Sequence, residues 1–560
     1  MSYDWARNRI TGLDLAKEGI VVITVQYRTN IFGWLNIGNN TEISGNFGLQ
    51  DQSLALEWIQ ANIKMFGGNP NQISLLGHGT SGALCSLLQY LLNNELRHTE
   101  TPPFNQLVLM SIGNIERTFE SVISTQHASK VIVGKLGCQF EEDDKQLFSC
   151  LRSKSISDIL KAFESIFDHG NGTLYLGPSV IESLNNFMSN MTIMNNFPTT
   201  IIGITSNEGA FLQDFWLELA RDSYTSLKSY INNTILTKVI RTQGNVEGNS
   251  NKRNLDALNW HYFNNDFEEN PIHLLAAMGR FLSEYNYELP FYRLLNQLSN
   301  ATAKSNLNSN KLYAYIYDFT NSMDIRGKVN LFSGSTHSAE LPLLFGPTLF
   351  QQIARRRFNA EEENVYRKMR TPILNFIKTG NPTPLRDYDS WVPYTSKNRI
   401  IYDLGQKWSL TDQYAFVKDK NNMEKISQLL LRDQSTSTSH TRLNRNELSN
   451  PYQMPKYIDK KYTSDNIQNS PYTIHLMRVY GFWELFLPQI ISNDYAQGSD
   501  HSAITQHLLF LEASADAARF KHGFFVMLGL VIILLALLCL CVYLLRRNTL
   551  APSPHFDCDL

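Results

Sequence analysis

The run Gly77-His78-Gly79-Thr80-Ser81-Gly82 has the residue types of a turn built to expose a nucleophile, but the nucleophile itself is absent. It follows the apolar Ile73-Ser74-Leu75-Leu76. It precedes Ala83, Leu84, Leu87, Leu88, Leu91 and Leu92, which recur at helical spacing. A strand, a tight glycine turn and a helix in that order can hold a serine hydroxyl in a cleft for attack on a carbonyl carbon. Small residues are required because the turn is strained and the strand and helix pack closely around it. Counted from Gly77, the nucleophile position is Gly79, which has no side chain to attack with. Ser81 offers another reading, because Gly79-Thr80-Ser81-Gly82-Ala83 also sets a serine among small residues. It falls two residues further on, in the first helical turn and roughly 200° around the axis. A serine there serves more simply as a cap or a small packing residue.

Further motifs carry a resemblance. Asn46-Phe47-Gly48-Leu49-Gln50-Asp51-Gln52, Ala55-Leu56-Glu57-Trp58, Asn62-Ile63 and Phe66-Gly67-Gly68-Asn69-Pro70 together resemble the type-B carboxylesterase/cholinesterase family. Lys378-Thr379-Gly380-Asn381-Pro382 with Trp391, and Phe482-Trp483-Glu484-Leu485-Phe486-Leu487-Pro488, match later landmarks of that family. The resemblance runs from about residue 5 to about residue 492. It implies an α/β-hydrolase fold, a central mostly parallel sheet flanked by helices. Ser206-Asn207-Glu208-Gly209 resembles the segment with the triad acid, and Ser335-Thr336-His337-Ser338-Ala339-Glu340-Leu341 the segment with the triad base. The order Gly79, Glu208, His337 is then the serine–acid–histidine order of that fold. In an active relative the base takes the serine proton and the acid orients the base. Here Glu208 and His337 are vestigial triad positions, and no catalytic residue is expected.

The resemblance also implies a disulfide between Cys138 and Cys150; two free cysteines on one helix are the alternative. Cys85 reads as a buried thiol behind the turn. Thr80 could still offer its backbone N–H to an oxyanion, but the glycine-rich loop that would complete the hole belongs upstream of residue 1. Gly19-Ile20-Val21-Val22-Ile23-Thr24-Val25-Gln26-Tyr27 is a continuous apolar, β-rich run, the pattern of a strand covered on both faces. In the family it is an interior strand preceded by several others. The chain therefore reads as N-terminally truncated, either an incomplete gene product or a variant with an open sheet edge. The opening Met1-Ser2-Tyr3-Asp4-Trp5, without a basic start and an apolar run, is not expected to act as a signal peptide.

Phe524 to Leu545 is apolar apart from Gly529 and Tyr543. Its 22 residues extend roughly 33 Å as a helix, enough to cross a bilayer. This divides the chain into an ectodomain over 1–492 with a polar insertion at about 432–475, a stalk over 493–523, a transmembrane helix over 524–545 and a short cytoplasmic tail over 546–560. Asn39, Asn171, Asn190, Asn232 and Asn300 head N-x-S/T sequons, all before the span. They favour an extracellular ectodomain at the plasma membrane; a tail-anchored protein with a cytosolic domain is the other topology. Cys558 in the tail is either free or lipid-modified, and the terminal Asp557-Cys558-Asp559-Leu560 has the form of a PDZ ligand.

A net charge of −2 with 43% apolar residues excludes bulk attraction to nucleic acid and supplies a large core. No metal or nucleotide motif occurs, and no cofactor is expected. A silent cholinesterase-like domain on a C-terminal anchor is similar to the neuroligin/gliotactin group of adhesion molecules. That resemblance implies a cell-junction or synaptic receptor binding an extracellular partner, neurexin-like if the chain is neuroligin-like. It also implies a homodimer through helices near Glu361 to Lys378 and Met477 to Leu487. The alternative is a membrane-anchored carboxylic-ester hydrolase using the displaced Ser81.

Overall fold

The computed structural model describes residues 12–38, 45–93, 102–113, 120–138, 144–165, 176–180, 197–242, 249–263, 271–304, 310–319, 322–332, 334–384, 390–405 and 471–488. The chain forms two units, Met1–Ile491 and Ser492–Leu560. The stalk, the 524–545 span and the tail all belong to the second and lie outside the described residues. Among the described residues no helix is long and apolar enough to cross a membrane.

The centre is a parallel sheet of β1 (Ser74–His78), β2 (Gln106–Met110), β3 (Thr199–Thr205), β4 (Leu312–Tyr317) and β5 (Tyr402–Asp403), in that spatial order. Every ladder is parallel, with Leu107 opposite Leu75 and Thr200, and Thr200 in turn opposite Leu312. The period of two along each strand sorts side chains onto opposite faces. Leu107, Leu109, Ile202, Ile204, Leu312, Ala314 and Ile316 enter one core. Val108, Met110, Ile201, Tyr313, Tyr315 and Tyr317 enter the other. Helices α1 (Phe47–Asn62) and α2 (Gly79–Leu91) contribute Leu49, Leu56, Leu84, Leu87 and Leu88 to the first core. Helix α5 (Ala360–Thr379) contributes Val365, Met369, Ile373 and Phe376 to the second. A third, mostly helical core gathers around α3 (Pro271–Ser283), the start of α4 (Leu289–Lys304) and the late helix α6 (Pro471–Tyr480).

The apolar run Gly19–Tyr27 does not become an interior strand. Among the described residues it has no ladder partner, and Val21 and Ile23 are 45% and 42% exposed. Ile20 and Val22 pack against the second core and Tyr27 against the first. Among the described residues β1 is an edge strand of the sheet, and no strand pairs with the run. The polar insertion also ends earlier than 475, since Pro471 already opens α6 and His475 is buried. The rest of the insertion lies outside the described residues. A disulfide joins Cys138 to Cys150 with Cα atoms 5.9 Å apart, and Cys85 is a buried free thiol in α2.

Candidate active site

Three strand ends converge on the site. β1 ends at His78, and the chain turns at Gly79 into α2 with a φ of +74°. That left-handed conformation costs a residue with a Cβ roughly 1–2 kcal/mol, which glycine avoids. β3 leads into the short turn Glu208–Leu212, placing Glu208 at its start. His337 lies on the connection between β4 and the helix Leu341–Leu344, and Ser338 beside it holds a φ of +69°. The backbone N–H of Asn207 donates to the Ser335 carbonyl at 2.8 Å, tying the acid and histidine segments together.

The sequence-predicted positions Gly79, Glu208 and His337 meet here. His337 Nδ1 lies 2.5 Å from Glu208 Oε2, and the Thr205 N–H donates to Glu208 Oε1 at 2.8 Å. A Cβ built on Gly79 would lie 3.5 Å from His337 Nε2 and 3.8 Å from Cε1, with no other described residue outside its own chain neighbourhood within 4 Å. The free nitrogen of the histidine thus faces the place where a nucleophile's side chain would begin. Ser81 is the third residue of α2 and half-buried. Phe211 and Tyr287 set their rings 5.3 and 5.6 Å from the His337 ring and wall that side.

Burial alone would raise the Glu208 pKa, but the His337 charge, with hydrogen bonds from His337 and the Thr205 N–H, holds it below its ordinary value. Burial alone would lower that of His337. The Glu208 charge and hydrogen bond, aided by Glu340 and Asp324, raise it instead. Each partner thus favours the charged form of the other, the carboxylate at Glu208 and the imidazolium at His337. Such a pair can orient and store a proton, but Gly79 gives it no hydroxyl to activate as a nucleophile.

Sequence reasoning missed a second layer. His78 Nε2 approaches Glu340 Oε1 at 3.4 Å, and the two histidine rings lie 4.9 Å apart. The Ser111 hydroxyl donates to Glu340 Oε1 at 3.2 Å. The signals were present, a histidine inside the glycine turn and a glutamate three residues past His337. No spacing rule joins residues so far apart in the chain. Of the sequons, Asn300 is exposed on α4 and Asn232 is half-buried; Asn39, Asn171 and Asn190 lie outside the described residues.

The profile of the carboxylesterase family matches residues 2–470. The acetylcholinesterase of Bungarus fasciatus is 27% identical over 393 residues, covering 68% of this chain and 59% of that protein. That of Electrophorus electricus is 28% identical over 407 residues, covering 65% and 59%. The chain thus spans about three-fifths of the length of these relatives.

Proposed function

The chain belongs to the carboxylesterase family, and from that premise we propose that it is a non-catalytic member, a cell-surface adhesion or receptor protein that binds a partner ectodomain at cell junctions or synapses. The observation that carries this reading is Gly79, a residue without a side chain facing His337 Nε2 at the turn where the family's chemistry needs a hydroxyl. A fold does not fix function, and an esterase scaffold without its nucleophile still presents a large, rigid surface. The apolar 524–545 segment and the five sequons favour a single-pass plasma-membrane protein with an extracellular esterase-like domain. Met477 and Leu485 are 38% and 59% exposed on the α6 region, which supports a homodimer contact there.

The retained Glu208–His337 pair favours a second reading, ester hydrolysis through Ser81. Turnover of a short-chain aryl ester by the purified full-length chain separates the two. The adhesion reading expects no enzymatic turnover from the native chain. Turnover abolished by Ser81→Ala would establish the hydrolase instead.

A further inference from the structure

Away from the site, the helical core buries a cluster of ionisable groups that the adhesion reading does not use. Glu284 and Glu288 lie on the π-turn Glu284–Glu288 between α3 and α4, and His475 comes from α6; all three are at least 95% buried. His475 Nε2 is 2.7 Å from Glu288 Oε2. Tyr262 donates its hydroxyl to Glu284 Oε2 at 2.7 Å and accepts from Trp483 Nε1 at 2.9 Å. Arg280 Nε lies 3.4 Å from Glu284 Oε1. His261 stacks on Phe482 at 3.9 Å, and Arg293 pairs with Glu484 at the edge. Each of these links ties the 471–486 segment, directly or through Glu284, to residues between 261 and 293.

We propose that Glu284, Glu288 and His475 form a proton-held clasp that fastens α6 to the helical core and opens as the shared proton is lost. This inference goes beyond the adhesion reading and does not rest on it. The three ligand atoms lie within 4.8 Å of one another, a spacing that would also admit a metal ion. Charge decides for the proton. Two carboxylates against the part-exposed Arg280 and a protonated His475 sum to zero, whereas a divalent cation in place of that proton leaves the group one positive charge in excess.

The groups facing the pair agree. Burial works against the His475 charge, but Glu288, its hydrogen bond and Glu284 outweigh it and raise the pKa; Arg280 opposes them. Burial raises Glu288. His261 is held down to about 4, chiefly by burial, and stays neutral at physiological pH. A histidine with a raised pKa in the closed state contributes fully below its free value of about 6.5, and the contribution is lost as pH rises through the raised value. The opening equilibrium then grows by up to about tenfold per pH unit in that window, one proton being released per opening.

The test is hydrogen exchange of the full-length chain in detergent at pH 6, 7 and 8, corrected for intrinsic rates, with and without EDTA. Protection of residues 471–486 should fall with rising pH while β2 holds, and EDTA should change nothing. Since His475→Gln could unfold the helix outright, Glu288→Gln is the second variant; it keeps an acceptor without the charge and should flatten the pH response. Protection that is independent of pH in the native chain, or that falls with EDTA and returns with zinc, would overturn the clasp.

Discussion

At Gly79 the absence of one side chain separates two functions for the same pocket. The built Cβ meets only ordinary van der Waals contact, so the cost of filling the position is set by the backbone. Gly79→Ala should therefore destabilise the fold by about 1–2 kcal/mol, the penalty of a left-handed conformation, as read from urea denaturation. A much larger loss would mean that the space beside His337 is filled. The Glu208–His337 pair makes a prediction about pH. Glu208 is depressed, so its contribution is present above about 4.5 and lost as pH falls through its folded value. His337 is raised, so its contribution is full below about 6.5 and lost as pH rises through its folded value. Stability should peak between those limits and decline on both sides. Glu208→Gln should flatten both limbs and cost about 3–5 kcal/mol at pH 6, because it leaves a buried imidazolium without its counter-charge. Denaturation midpoints at pH 4, 6 and 8 check the sign. The elbow was legible from Gly77 to Gly82 because turn chemistry is local. The His78–Glu340 pair was not, because only the folded sheet brings positions 78 and 340 together.

At the scale of elements, patterning located what local rules govern. The family landmarks put a helix near 361–378, and α5 spans Ala360–Thr379. It opens on a capping box in which the Asn359 side chain accepts from the Glu362 N–H at 2.7 Å and Glu362 answers to the Asn359 N–H at 2.9 Å. Asn359→Ala should lower stability by about 1 kcal/mol, seen as a modest drop in melting temperature. The Gly19–Tyr27 run shows where patterning stops. An apolar β-rich stretch states only a preference for extended backbone. Whether it joins a ladder depends on a neighbour that its own residues do not encode. His475 was hidden for a related reason, since it reads as polar excursion until Glu288 is placed opposite it.

Across the whole molecule, three cores fix the site from different sides. The two faces of the sheet hold β1, β3 and the segment after β4 in register. Tyr287, which walls the pocket, sits on the same turn as Glu284 and Glu288. The Cys138–Cys150 bridge closes a short loop whose cysteines pack on the first core. Cys138→Ser with Cys150→Ser should cost about 3 kcal/mol in the chain-entropy account and leave the pocket geometry unchanged, as judged by the His337 proton resonances. The most direct measurement of the central claim is the intact mass and peptide map of the full-length chain after a fluorophosphonate probe, beside Gly79→Ser. The account predicts no adduct on the native chain, and any adduct on the variant confined to position 79. A probe adduct on Ser81 of the native chain, lost on denaturation beforehand, would contradict it.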